Sequence, residues 1–114
     1  MQVSNGDVAR ILNELGDLLE IEGANAFRVR AYRNAARVIE ALPRPVAAMA
    51  AAGEDLAELP GIGEALAKKI AEIAATGRLE ALERETQTVP LTVLDLLKIP
   101  GLGPRRVKTL LDRL

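Results

Sequence analysis

Leu59-Pro60-Gly61-Ile62-Gly63 decides how this chain is read, because forty residues later the same phrase recurs as Ile99-Pro100-Gly101-Leu102-Gly103. In both copies an apolar residue and a proline close one helix, two glycines bracket an apolar residue, and an amphipathic helical pattern starts at once. Glycine at both turn positions lets the backbone reach positive φ and lets another backbone come close, while the residue between them plugs the turn into a core. A turn of this kind, feeding a helix N-terminus, points its amides outward and suits a phosphate.

Outward from the repeat, the chain reads as all-α. Ser4, Asn5 and Asp7 offer N-caps to a helix carrying Val8, Ile11, Leu12, Leu15, Leu18 and Leu19, which ends at Gly23. A second helix is predicted from about Asn25 to Leu42, with Phe27, Ala31, Ala35, Val38 and Leu42 inward and Arg30, Arg33 and Arg37 along another face; Pro43 and Pro45 stop it. Val46 to Ala52 reads as a short helix, and Asp55 to Leu59 as a turn that delivers the first hairpin. After Gly63 come Leu66, Ile70 and Ile73 at helical spacing up to Thr76-Gly77, then a short helix from Arg78 to Glu85. Thr86-Gln87-Thr88 is read as a linker between an N-terminal domain, 1–85, and a second segment, 89–114. A helix begins at Pro90 or Thr92, with Val93, Leu94, Leu96 and Leu97 inward, and the second hairpin leads into Pro104 to Leu114. The last segment is too short for a core of its own, so it must pack on the first or lean on further sequence.

At 114 residues the chain can bury one modest core, or one core plus a small appendage. It has no cysteine and no histidine, which removes disulfides, thiolate metal sites and the usual general base. Any chemistry falls to lysine, carboxylates or tyrosine. No apolar run reaches the ~20 residues of a membrane span and no secretory signal is evident, so a soluble, cytoplasmic protein is expected. The net charge of −1 argues against nucleic acid on its face, yet the charges are segregated. Arg28 to Arg44 holds five arginines against Glu40 alone, and Lys98 to Arg113 holds five bases against Asp112 alone. With one tyrosine and one phenylalanine the chain lacks platforms for stacking bases, and its glycine turns are too short for a P-loop.

Two lysines open the question of chemistry. Lys68 has Glu64 and Glu72 four residues to either side, so a surface ion-pair ladder accounts for it. Lys69 has Ala65, Leu66 and Ile73 around it and sits at the apolar border. Partial burial makes the neutral amine of a lysine available for attack on an aldehyde, although a stem that merely covers apolar surface gives the same spacing.

The two glycine phrases resemble helix-hairpin-helix motifs. Together with Phe27-Arg28-Val29-Arg30-Ala31-Tyr32-Arg33 upstream and Ala75-Thr76-Gly77-Arg78-Leu79 downstream, they resemble the N-terminal part of the X family of DNA polymerases. The resemblance covers nearly the whole chain and implies a small helical bundle. It implies that Lys69 matches the lysine that attacks the deoxyribose left by base-excision repair and that Tyr32 shapes its pocket. The family's lysines for the 5′-phosphate are thinned, since Ala57, Ala65 and Ala81 stand at three of their positions and Phe27 replaces a histidine; Arg28 keeps one basic position. The resemblance further implies that carbonyls of Ala57, Leu59 and Ile62, and of Leu97, Ile99 and Leu102, hold a monovalent cation, Na+ or K+, with no other cofactor required. The expected partner is DNA, gapped, nicked or duplex, with no membrane, and further polymerase domains absent from this chain.

The preferred reading is a module that binds DNA backbone irrespective of sequence, through Gly61, Gly63, Lys68, Gly101, Gly103, Arg105, Arg28, Arg30, Arg33 and Arg37. The rival is a helical protein-interaction domain that keeps the hairpin geometry without DNA, which the near-neutral charge favours. Clustering of both hairpins with Arg30, Arg33 and Arg37 separates the two.

Overall fold

The structure, a computed structural model, describes residues 2–89 and 91–113. Pro90, offered as a helix start, lies outside them. The described residues are helical throughout: α1 (Asn5–Ile21), α2 (Ala26–Ala41), α3 (Val46–Ala51), a 3₁₀ turn (Leu56–Glu58), α4 (Glu64–Thr76), α5 (Glu80–Thr88), α6 (Leu91–Leu97) and α7 (Pro104–Asp112).

α1 is the beam on which the rest is laid. Ser4 caps it by accepting from the Asp7 amide, and its apolar residues recur at three and four, so Val8, Ile11, Leu12, Leu15, Leu18 and Leu19 are all buried. The larger of two apolar clusters joins α1 to α2, α3 and α4 through Tyr32, Ile39, Val46, Ile62, Ile70 and Ile73. The smaller joins Leu18 of α1 to Val89, Val93 and Val107. The second hairpin therefore packs on the same helix towards its C-terminal end, at Leu18 and Ile21, which is how a segment too short for its own core becomes ordered.

The stripe expected for α2 is displaced. Its buried residues are Val29, Tyr32, Ala35, Ala36 and Ile39, while Phe27 is 75% exposed. In an alanine-rich helix several stripes are nearly equivalent, and the choice falls to whichever side chains meet the α1 face. Asn25 caps the helix through the Phe27 amide and leaves the Phe27 ring outside, where the Arg30 guanidinium lies 4.9 Å from its centroid.

Thr86, Gln87 and Thr88, read as a linker, form the last turn of α5. Thr86 and Thr88 bond back to the Leu82 and Glu85 carbonyls, which satisfies their hydroxyls inside a helix, and the buried Val89 then enters the second cluster.

Both glycine phrases build the same turn. The Ile62 amide bonds to the Leu59 carbonyl at 3.0 Å, and Leu102 to Ile99 at 3.1 Å. Pro60 and Pro100 take the second turn position, and Gly61 and Gly101 take the third at φ +74° and +82°, the pattern of a type II turn. The second glycines differ from expectation. Gly63 and Gly103 sit at φ −87° and −77° in extended backbone, as the N-caps of α4 and α7.

Asn5 ties the start of α1 to the approach to α3: its side chain donates to the Arg44 carbonyl at 2.9 Å and accepts from the Val46 amide at 2.8 Å. Asn5→Ala is expected to leave that partly buried amide unpaired and to lower the unfolding free energy by about 1–3 kcal/mol, read as a shifted urea midpoint with unchanged slope.

Candidate functional site

Helix α2 carries cationic residues to both hairpins, on opposite sides. Arg28, Ala31 and Tyr32 line a cleft of about 410 Å³ whose far wall is Gly63, Ala65, Leu66 and Lys69 at the start of α4. Two positions further round the helix, a step of about 200°, Ala26, Val29 and Arg30 line a second cleft of about 460 Å³ with Glu20, Arg105 and Lys108. An adjoining cleft of about 480 Å³ is lined by Glu20, Arg33, Gly101, Gly103, Pro104, Arg105 and Arg106. Arg30 and Arg33 thus meet the second hairpin, and Arg28 the first; Arg37 lines none of these clefts.

The arginines are not a free stripe. Arg33 is half-buried, with its guanidinium 2.6 Å from Asp17 and 3.9 Å from Glu20, and it donates to the Asn13 carbonyl at 3.1 Å. Its first work is to bind α2 to α1. Arg37 donates to the Asn34 side chain, and Arg44 forks onto Glu54, whose carboxyl this partner holds below the ordinary range. Arg28 and Arg30 have no carboxylate within ion-pair reach among the described residues.

Lys69 is half-buried and shares its cleft with Tyr32, which is 4% exposed. The packing that makes this cleft is the α2 turn at Arg28–Tyr32 set against the α4 N-terminus. The ion-pair ladder expected at Lys68 is absent: no described carboxylate lies within 4 Å of it, because Glu72 is turned to accept from the Glu80 amide at 2.7 Å and so caps α5. Lys68 is an exposed, unpaired cation.

The two helix starts differ electrostatically. α4 has Glu64 in its first turn, whereas α7 has Pro104 followed by Arg105 and Arg106 and no acid there. Arg106 donates to the Gly101 carbonyl at 3.1 Å and so braces the second turn; the matching residue of the first copy is Leu66. Arg106 and Lys108 were missed in reading the sequence, although aligning the two copies would have shown an arginine where its twin has leucine. Glu20 was missed as well, and its Oε2 is buried without a hydrogen-bond partner.

Residues 3–79 match the helix-hairpin-helix domain family. The chain belongs to that family. The match takes in α1 to α4 with the first hairpin and stops short of the second. Over 108 residues, 95% of its length, the chain is 33% identical to the N-terminal part of DNA polymerase/3′-5′ exonuclease PolX of Bacillus subtilis (strain 168), a family X polymerase. It spans 18% of that relative. This helix-hairpin-helix domain has no helix, among the described residues, long and apolar enough to cross a membrane.

Where α5 meets the end of α1, Glu85 shares a hydrogen bond with Glu22, and that bond, with partial burial, raises its pKa above the ordinary glutamate value of 4.5; Arg28 and Arg84 pull the other way. A folded state that holds this proton more tightly than the unfolded chain is stabilised below the ordinary value and loses that contribution as pH rises through the raised one. Glu85→Gln is expected to keep the bond to Glu22 and flatten the fall in melting temperature as pH climbs from 4.5 towards neutrality.

Proposed function

We propose that this helix-hairpin-helix domain binds DNA through its phosphate backbone, irrespective of base sequence, with the two glycine turns as its seats. The observation that carries this reading is the pair Gly63 and Gly103. Both hold an extended conformation open to any residue, and a Cβ built on either would meet nothing within 4 Å. Neither conformation nor packing asks for glycine. A serine or aspartate there would cap the helix better, yet both helix starts have no side-chain cap and leave their amides uncovered. Bare N-termini in both copies, flanked by Lys68 and Arg28 at the first and by Arg30, Arg105 and Arg106 at the second, favour a ligand whose charge replaces the cap. The rival interaction-domain reading has no matching feature.

Resemblance to the polymerase family adds Na+ or K+ at the turns. The donor set fits such an ion, because Ala57, Leu59 and Ile62, and Leu97, Ile99 and Leu102, offer neutral carbonyl oxygens, and Leu59 and Ile99 keep a lone pair beyond the turn hydrogen bond. A bound cation would add positive charge behind the amides. The PolX relative is by name a DNA polymerase and 3′-5′ exonuclease, which supports DNA as the partner here; a gapped, nicked or duplex form is what the resemblance to the polymerase family implies.

Gly63→Val and Gly103→Val are expected to fold with a modestly lowered melting temperature, since valine is a poorer N-cap than glycine, and to weaken duplex binding of the folded protein by about three- to tenfold each, as side chains shield amides that phosphate would reach. With about three to five phosphates engaged, the log-log salt slope should be roughly −3 to −5. Equal affinity in the valine variants and the parent, or binding indifferent to salt, would restore the interaction-domain reading.

The first cleft supports a narrower second reading, in which Lys69 forms an imine with the aldehyde of an abasic sugar. Lys69 is half-buried, and with Tyr32 and Arg28 lining the same cleft, the latter to hold a phosphate, it suits that chemistry. Borohydride is expected to trap a slowly formed protein–DNA adduct that Lys69→Ala abolishes and Lys68→Ala retains. Because Lys68 is itself exposed and unpaired, equal trapping in wild type and Lys69→Ala would assign the adduct to such surface amines and end this reading.

A further inference from the structure

Aligned by their glycine phrases, the two hairpins carry opposite charge. Residues 55–72 hold Asp55, Glu58, Glu64 and Glu72 against Lys68 and Lys69, whereas the matching residues 95–112 hold Asp95 and Asp112 against Lys98, Arg105, Arg106 and Lys108. The first copy is net −2 and the second net +2. Side chains from outside the repeat keep that order. Arg28 lines the first cleft, with Glu85 drawing on it, and at the second Arg30 and Arg33 are offset by Asp17 and Glu20. Resting on the DNA-binding reading with a monovalent ion at the turns, we infer that the two seats obtain their positive charge differently. The first turn draws the ion from solution, and at the second the Arg106 guanidinium stands in for it, so that the second turn works without one.

Arg106 donates to the Gly101 carbonyl at 3.1 Å, inside the turn whose Ile99 and Leu102 carbonyls are candidate ligands. A guanidinium keeps its charge at any pH a folded protein meets, so it opposes a second cation in the same turn at every salt concentration. Its twin in the first copy is Leu66, which packs on the larger apolar cluster and neither braces the Gly61 carbonyl nor carries charge. There Glu58 stands just before the turn and Glu64 opens α4, both exposed. Carboxylates beside neutral carbonyls raise affinity for a cation, and the cation in return offsets their repulsion of a phosphate. The first seat therefore answers to the monovalent ion, and the second is constant.

Thallous ion, a monovalent cation close to potassium in size, tests the assignment when titrated in tetramethylammonium buffer and followed by nitrogen-15 correlation spectra, on the free protein and on its complex with a short duplex. The Gly61 and Gly63 amides are expected to shift at about tenfold lower thallous concentration than those of Gly101 and Gly103. Arg106→Gln keeps a donor for the Gly101 carbonyl while removing the charge, and is expected to bring the second turn within about threefold of the first. Such a gain cannot arise from misfolding. Glu58→Gln with Glu64→Gln is expected to weaken the ion at the first turn about three- to tenfold. Equal affinity at both turns of the parent, no gain in Arg106→Gln, or no ion at either turn would overturn the inference and leave DNA binding standing. Duplex affinity gives a second readout. Exchanging potassium for tetramethylammonium at equal ionic strength should weaken Gly103→Val, which keeps only the first seat, by about threefold or more, and leave Gly63→Val, which keeps only the second, unmoved. The reverse pattern would overturn the inference. No duplex binding by the parent in potassium would overturn the DNA-binding reading, while the titration of the free protein still decides which turn holds the ion.

Discussion

Burial of the α1 apolar stripe against two clusters is the constraint on which this fold depends. Val8, Ile11, Leu12, Leu15 and Leu19 face the bundle of α2, α3 and α4, while Leu18 faces Val89, Val93 and Val107. An apolar stripe that ended at Leu15 would hold the first hairpin and leave the second unsupported, since the residues from Val89 onward bury too little surface to stay ordered alone. One helix thereby sets the positions of both glycine turns, through successive stretches of its apolar stripe.

The Arg33 cluster fixes the next level. Its contacts with Asp17, Glu20 and the Asn13 carbonyl settle the rotation of α2 against α1, and that rotation sends Arg28 and Tyr32 to one hairpin and Arg30 to the other. The same side chain serves packing and lines the second cleft. Removing a partner from such a partly buried pair costs more than an exposed pair would, because the remaining charge stays desolvated. The twin turns then diverge in the side chains around them: Glu64 opens the first helix where Pro104 opens the second, and Leu66 packs in the first copy where Arg106 braces the carbonyl of Gly101. A repeated backbone device with different side chains around it has become two electrostatically distinct seats.

Much of the fold was open to reading from residues in order. The caps at Ser4, Asn25 and Asp55, the stops at Pro43 and Gly77, and the apolar periodicity of α1 and α4 are local facts, governed by hydrogen bonds and spacing within a few residues. The positive φ of Gly61 and Gly101 follows from the turn that Pro-Gly encodes. Threonine at 86 and 88 misled, since a weak helix former becomes helical when its hydroxyl finds a backbone carbonyl and the following valine is buried by another element.

The phrase written twice was enough to establish two hairpins, an all-α chain and a family, because turn chemistry and helix periodicity act over short stretches. Placing Lys69 beside Tyr32, turning Phe27 outward, tying Arg33 to Asp17 and gathering Arg30 with Arg105 and Lys108 required the packed bundle. Those outcomes hang on the rotation of one helix against another, a choice made by side chains far apart in the chain whose contacts no local pattern records.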